Sequence, residues 1–142
     1  MQMQQKMRVE KQVMSKARWL YVILGLVIMM ALGTVYSWSV FRLPVEVLYD
    51  VGTAQSGLPY MTALLFYSLF MFLTGRFFKD WSPRKTILTG TLLVSVGWIL
   101  SAFAPNIQTL TIAYGVISGA GVGIAYGAPL TVVTRWFPEK KG

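Results

Sequence analysis

The chain has 142 residues, 55% of them apolar and 13% charged, with 13 Lys and Arg against 5 Asp and Glu, and it contains no Cys and no His. An ordinary soluble domain carries about 25% charged residues. Without thiols or imidazoles there is no disulfide scaffold, zinc–thiolate site, His-ligated metal, catalytic thiol or Ser-His triad, and five scattered acids leave little for paired-carboxylate chemistry, so neither an enzyme nor a metal or cofactor site is expected.

Residues 1–18 form a polar, Gln-rich tail bearing Lys6, Arg8, Lys11, Lys16 and Arg18. The apolar stretch that follows is longer than the 7–15 residues of a signal-peptide core, so the first helix is expected to be retained. An uncharged run of 23 residues separates Arg18 from Arg42, another of 25 separates Asp50 from Arg76, and 49 uncharged residues lie between Lys85 and Arg135. At about 1.5 Å rise per residue, roughly 20 apolar residues cross a hydrocarbon core of about 30 Å. The first two runs therefore hold one span each, and the third holds two, divided by the turn signal Pro105-Asn106. The predicted helices lie at about 19–41, 56–76, 86–104 and 108–134. Segments such as Trp19 to Leu32 are apolar around nearly the whole helix, unlike the one-sided helices of a soluble bundle. The fold class is all-α membrane protein.

The net charge of +8 invites a nucleic-acid reading until it is located. The tail, the second loop (Arg76, Lys79, Arg84, Lys85) and the C-terminal end (Arg135, Lys140, Lys141) fall on one side of four alternating spans and hold twelve of the 13 basic residues. That is the positive-inside pattern, which places both termini in the cytoplasm and leaves Glu46 and Asp50 outside. No basic face of a folded soluble domain remains for nucleic acid. The expected setting is the lipid bilayer of the plasma membrane, with multiple passes.

The first helix ends in Gly33-Thr34-Val35-Tyr36-Ser37-Trp38-Ser39. Tyr36 and Trp38 suit an interfacial aromatic belt. Tyr36 also stands deep enough for its hydroxyl to need a polar partner on another helix or in a water-filled cavity. In the fourth helix Gly115, Gly119, Gly123 and Gly127 recur every fourth residue, with Gly121 between them and Pro129 beyond. Such strips let helix backbones approach closely in lipid, and this one is expected to seek partner helices beyond the four present. Gly33-x-x-Tyr36 is matched by Gly123-x-x-Tyr126 on a helix running the opposite way, as an inverted three-plus-three repeat requires. No ionisable residue is expected in any span interior, so the usual marks of ion binding or proton relay are absent from these predicted spans.

Gly75-Arg-Phe-Phe-Lys-Asp-Trp-Ser-Pro-Arg-Lys85 resembles the major facilitator signature G-x-x-x-D-[RK]-x-G-[RK]-[RK] between the second and third helices. Tyr36-Ser-Trp-Ser-Val-Phe41 with Pro44, and Gly115 to Gly127 running into Pro129 and Arg135-Trp-Phe-Pro-Glu-Lys-Lys-Gly142, look like the oxalate/formate antiporter branch, related to monocarboxylate transporters. The resemblance covers nearly everything after residue 18. It implies that 19–142 is part of the N-terminal six-helix half of a twelve-helix fold, an N-terminal fragment whose C-terminal helices are missing partners. It also implies secondary transport of small organic anions such as oxalate, formate or lactate by alternating access. Tyr36 and Tyr126 would then line the substrate pathway and donate hydrogen bonds to a carboxylate, Trp38 would shape its wall, and the cationic partners would lie in the missing half. Gly75, Asp80, Arg84 and Lys85 would form the cytoplasmic gate motif, with one departure: Lys79 holds the family's Asp position and Asp80 follows it. A non-transporting four-helix membrane scaffold or subunit is the alternative.

Overall fold

The computed structural model describes residues 19–77 and 81–136. The basic tail, Lys79 and Asp80 of the loop motif, and the terminal 137–142 lie outside the described residues. Four helices account for nearly all of what is described, with no strand among the described residues: α1 (Trp19–Tyr49), α2 (Thr53–Phe77), α3 (Pro83–Ala102) and α4 (107–136). Each is long and apolar enough to cross a membrane, the shortest having 20 residues, about 30 Å of helix.

The turns follow from local chemistry. Asp50 adopts the left-handed conformation at φ 49°, and its backbone N–H donates to the Glu46 carbonyl, closing α1. Ser82 caps α3, with Pro83 at the first helical position. Asn106 caps α4, its Oδ1 accepting from the Thr109 N–H at 2.8 Å. Hydroxyls along the spans bond back to carbonyls one turn earlier, as Ser68 does to Leu64, Thr91 to Ile87 and Ser101 to Gly97. Donors that lipid could not satisfy are thereby paired within their own helix.

α1 does not stop near 41. It continues to Tyr49 through Pro44. Arg42 and Glu46 stand four residues apart on one face and pair at 3.2 Å, so the charges that marked the edge of the predicted span sit within the helix as an internal pair.

α4 packs between α2 and α3 and forms the spine: 61% of its apolar span is buried, against 17% for α1, 11% for α2 and 17% for α3. Its small residues make this possible. A Cβ on Gly119 would stand 2.7 Å from the Ala63 carbonyl of α2, and one on Gly115 2.7 Å from Thr62 Cβ. Gly121 faces the other way, 2.7 Å from the Gly90 carbonyl of α3.

Two stretches depart from α geometry. Gly33–Ser37 of α1 winds tighter, as a 3-10 turn, and Thr111–Ser118 of α4 winds looser, as a π-helix. They meet. The Tyr114 hydroxyl donates to the Val35 carbonyl at 3.4 Å, and the Trp38 and Tyr114 rings lie 4.6 Å apart. Non-α backbone within a span is tolerated where it is buried against protein, as the π stretch is between α2 and α3; the 3-10 turn meets it through Val35 and is otherwise largely exposed.

Candidate functional site

The tight turn of α1 sets the directions of the residues after it. Trp38 is buried at 6% exposure, and its Nε1 donates to the Ser56 carbonyl of α2 at 3.0 Å. Its ring packs on Tyr114, which meets Trp98 of α3 edge-on at 5.7 Å. Trp38 thus ties three helices together while one edge borders a cleft. Tyr36, 53% exposed, opens onto that cleft, about 340 Å³ between α1 and the start of α2, shared with Arg42, Thr53 and Tyr60.

Tyr126 of α4 is half-buried and stands T-shaped against Tyr67 of α2, ring centres 5.3 Å apart. Tyr36 of α1 lies beside Tyr67. Three phenols from α1, α2 and α4 therefore converge. The sequence pattern picked out two of them and missed Tyr67. A usable signal was present: Tyr60 and Tyr67 lie seven residues apart on one face of an otherwise apolar helix.

Arg42 was placed outside the spans by the charge pattern. In the structure it belongs to the cleft wall. Its Nε contacts Glu46 Oε1 at 3.2 Å and Ser56 Oγ at 3.3 Å, and its Nη2 donates to the Thr53 carbonyl at 3.3 Å. The Ser56 hydroxyl donates to the same Glu46 oxygen at 2.6 Å. The guanidinium is 41% exposed, so the expectation of no buried cation in these spans is not altered by the length of α1.

At the opposite end of the bundle, Gly75 and Arg76 border a groove with Ser68 and Phe72. Arg84 lines a cavity of about 420 Å³ with Tyr21, Gly25 and Pro129. The Lys85 backbone N–H is received by the Ser82 hydroxyl at 3.4 Å. Asp80 lies outside the described residues.

The glycine strip divides. Gly115, Gly119 and Gly123 all press against α2, the last against the Tyr67 carbonyl. A Cβ on Gly127 would meet open space. The strip expected to seek helices beyond the four is therefore occupied within the chain, because α2 offers Ala63 and exposed carbonyls at the matching height.

Chemically, the cleft and the phenol cluster offer hydroxyl and guanidinium donors and one carboxylate. Hydroxyl and guanidinium groups are donors of the kind that can hydrogen-bond an oxyanion.

The family model of the Major Facilitator Superfamily matches residues 23–142. The oxalate:formate antiporter of Oxalobacter formigenes is 30% identical over 126 residues, covering 88% of this chain and 30% of the relative. The uncharacterized MFS-type transporter YhjX of Escherichia coli (strain K12) is 27% identical over 127 residues, covering 89% of this chain and 32% of the relative. Monocarboxylate transporter 14 of Mus musculus is 40% identical over 67 residues, 47% of this chain and 13% of the relative. The chain spans about 30% of the length of the first two relatives.

Proposed function

The chain belongs to the Major Facilitator Superfamily and is a multi-pass membrane protein, and on that premise we propose that it supplies four helices of the N-terminal half of a secondary transporter for small organic anions such as oxalate, formate or lactate. Two relatives, an oxalate:formate antiporter and a monocarboxylate transporter, support the substrate class. The observation that carries the reading is the T-shaped contact of the Tyr67 and Tyr126 rings, 5.3 Å apart where α2 meets α4, with Tyr36 of α1 beside Tyr67. A phenol in a low-dielectric setting is a strong donor to a carboxylate and carries no charge to be desolvated. Alternating access then rocks these helices against a second half around the midplane site. In this reading Gly75, Asp80, Arg84 and Lys85 belong to the cytoplasmic gate, and the basic residues fix both termini inside.

The test is uptake of radiolabelled oxalate, formate and lactate into vesicles containing the protein produced from its full genomic reading frame. Tyr36→Phe and Tyr126→Phe each remove one hydrogen bond to an anion, about 1.5–3 kcal/mol, and should raise the half-saturating concentration by about 10- to 100-fold. Unchanged half-saturation in both variants removes the two tyrosines from the pathway. Absence of saturable uptake in the unaltered protein favours a scaffold instead.

A further inference from the structure

The continuation of α1 to Tyr49 carries one guanidinium onto the wall of the cleft that Tyr36 opens into. We infer that Arg42 is an anion-binding residue of this cleft, receiving a small mono- or dicarboxylate, and that Glu46 is its internal competitor, holding the guanidinium when no anion is bound. The inference rests on the carboxylate-transport reading and adds to it a cation within these four helices.

Four observations support it. First, Arg42 is bound loosely. Its contacts are 3.2–3.3 Å long, longer than the usual charge-assisted range of about 2.7–2.9 Å. Second, its donors are underused. A guanidinium has five N–H donors in a planar fork, yet the Glu46 carboxylate meets only the Nε edge, through one oxygen, and Nη1 makes no hydrogen bond among the described residues. The Nε–Nη2 edge is occupied, while the Nη1 end of the fork stays open to a carboxylate, and the side chain is 41% exposed.

Third, Glu46 does not depend on Arg42. It is less exposed, at 21%, and the Ser56 hydroxyl donates to it at 2.6 Å, the shortest contact of the group. When Arg42 turns toward an incoming anion, Glu46 keeps a donor and is not left as a bare buried charge. Fourth, the cleft has suitable donors and size. Tyr36, Tyr60 and Thr53 border it with Arg42, and about 340 Å³ holds an anion of a few heavy atoms. Tyr36 belongs to both the cleft and the phenol cluster, so an anion taken up at Arg42 is one side chain away from Tyr67 and Tyr126.

The experiment compares Arg42→Gln, Arg42→Lys and Glu46→Gln in the vesicle assay with labelled oxalate and formate. The purified protein is followed in parallel through the rise in its denaturation midpoint on addition of oxalate. Arg42→Gln should raise half-saturation about 10- to 100-fold. Arg42→Lys keeps the charge and loses the fork, and should fall between. Glu46→Gln removes the competitor and should lower half-saturation, by about 3- to 10-fold if Arg42 spends most of its time paired. The opposite signs are diagnostic. If the pair merely clamps α1 to α2, Arg42→Gln and Glu46→Gln break the same contact and shift half-saturation the same way. A rise or no change in Glu46→Gln overturns the inference, as does unchanged half-saturation in Arg42→Lys and Arg42→Gln. Arg42→Lys carries the test if Arg42→Gln does not accumulate in the membrane. Saturable uptake that responds to Tyr36→Phe and Tyr126→Phe while Glu46→Gln fails to lower half-saturation removes this inference and leaves the transport reading standing. No saturable uptake at all removes both.

Discussion

α1 and α4 carry the same short pattern, Gly-x-x-Tyr, and the fold treats them in opposite ways. Around Gly33 the helix tightens into a 3-10 turn, and a Cβ there would meet nothing within 4 Å. Gly123 is pressed against the Tyr67 carbonyl in a helix whose π stretch lies just before it. α1 is largely uncovered, with Leu20, Leu26, Met30 and Leu43 all more than half exposed, whereas α4 is the spine. Glycine in α4 is therefore a packing device. In α1 it marks a change of helical winding that re-aims Tyr36 and Trp38. A shared motif reports a shared ancestor or a shared need only after the neighbours of each copy are known.

The contrast can be broken at graded points. Gly119→Val should have the largest effect, because its Cβ would lie 2.7 Å from the Ala63 carbonyl and 2.9 Å from Ala63 Cα, backbone atoms that cannot rotate away. Overpacking of about 3 kcal/mol is expected, read as a lowered denaturation midpoint in detergent. Trp38→Phe comes next. It leaves the Ser56 carbonyl without its Nε1 donor in a buried setting, at a cost of about 1–3 kcal/mol by the same measurement.

Tyr114→Phe tests the contact between the two irregular stretches. The bond to Val35 is long at 3.4 Å, so about 0.5–1 kcal/mol is expected, with faster amide exchange over 33–37 as the more sensitive readout. Gly33→Ala and Gly127→Ala should have the smallest effect, neutral or stabilising by up to about 1 kcal/mol, since both positions have room for a methyl group. If Gly33→Ala instead destabilises as strongly as Gly119→Val, the two helices are alike after all and the comparison fails.

The four spans were legible because burying charge in lipid is costly, and uncharged runs of span length have few other uses. Pro105-Asn106 declared the break before α4 in the same direct way, whereas the start of α3 was set at about 86 by the last charge and lies at Pro83, capped by Ser82. The glycine spacing declared a close approach but not its partner, since spacing fixes a face and says nothing of what meets it. The end of α1 was misplaced because each charge was weighed singly, while Arg42 and Glu46 neutralise one another across one turn. Tyr67 went unseen because a tyrosine in an apolar helix looks like any other large side chain until another hydroxyl is brought to it.

The sequence by itself determined how often the chain crosses the bilayer and where each crossing can begin, because hydropathy and capping act within a few residues of one another. Which helix forms the spine, which glycines touch, where a 3-10 turn meets a π-helix, and the placing of Tyr36, Tyr67, Tyr126 and Arg42 were decided only by tertiary structure. Those outcomes join residues far apart in the chain, 79 positions in the Tyr114–Val35 bond, and depend on helix rotation and depth, which no local pattern encodes.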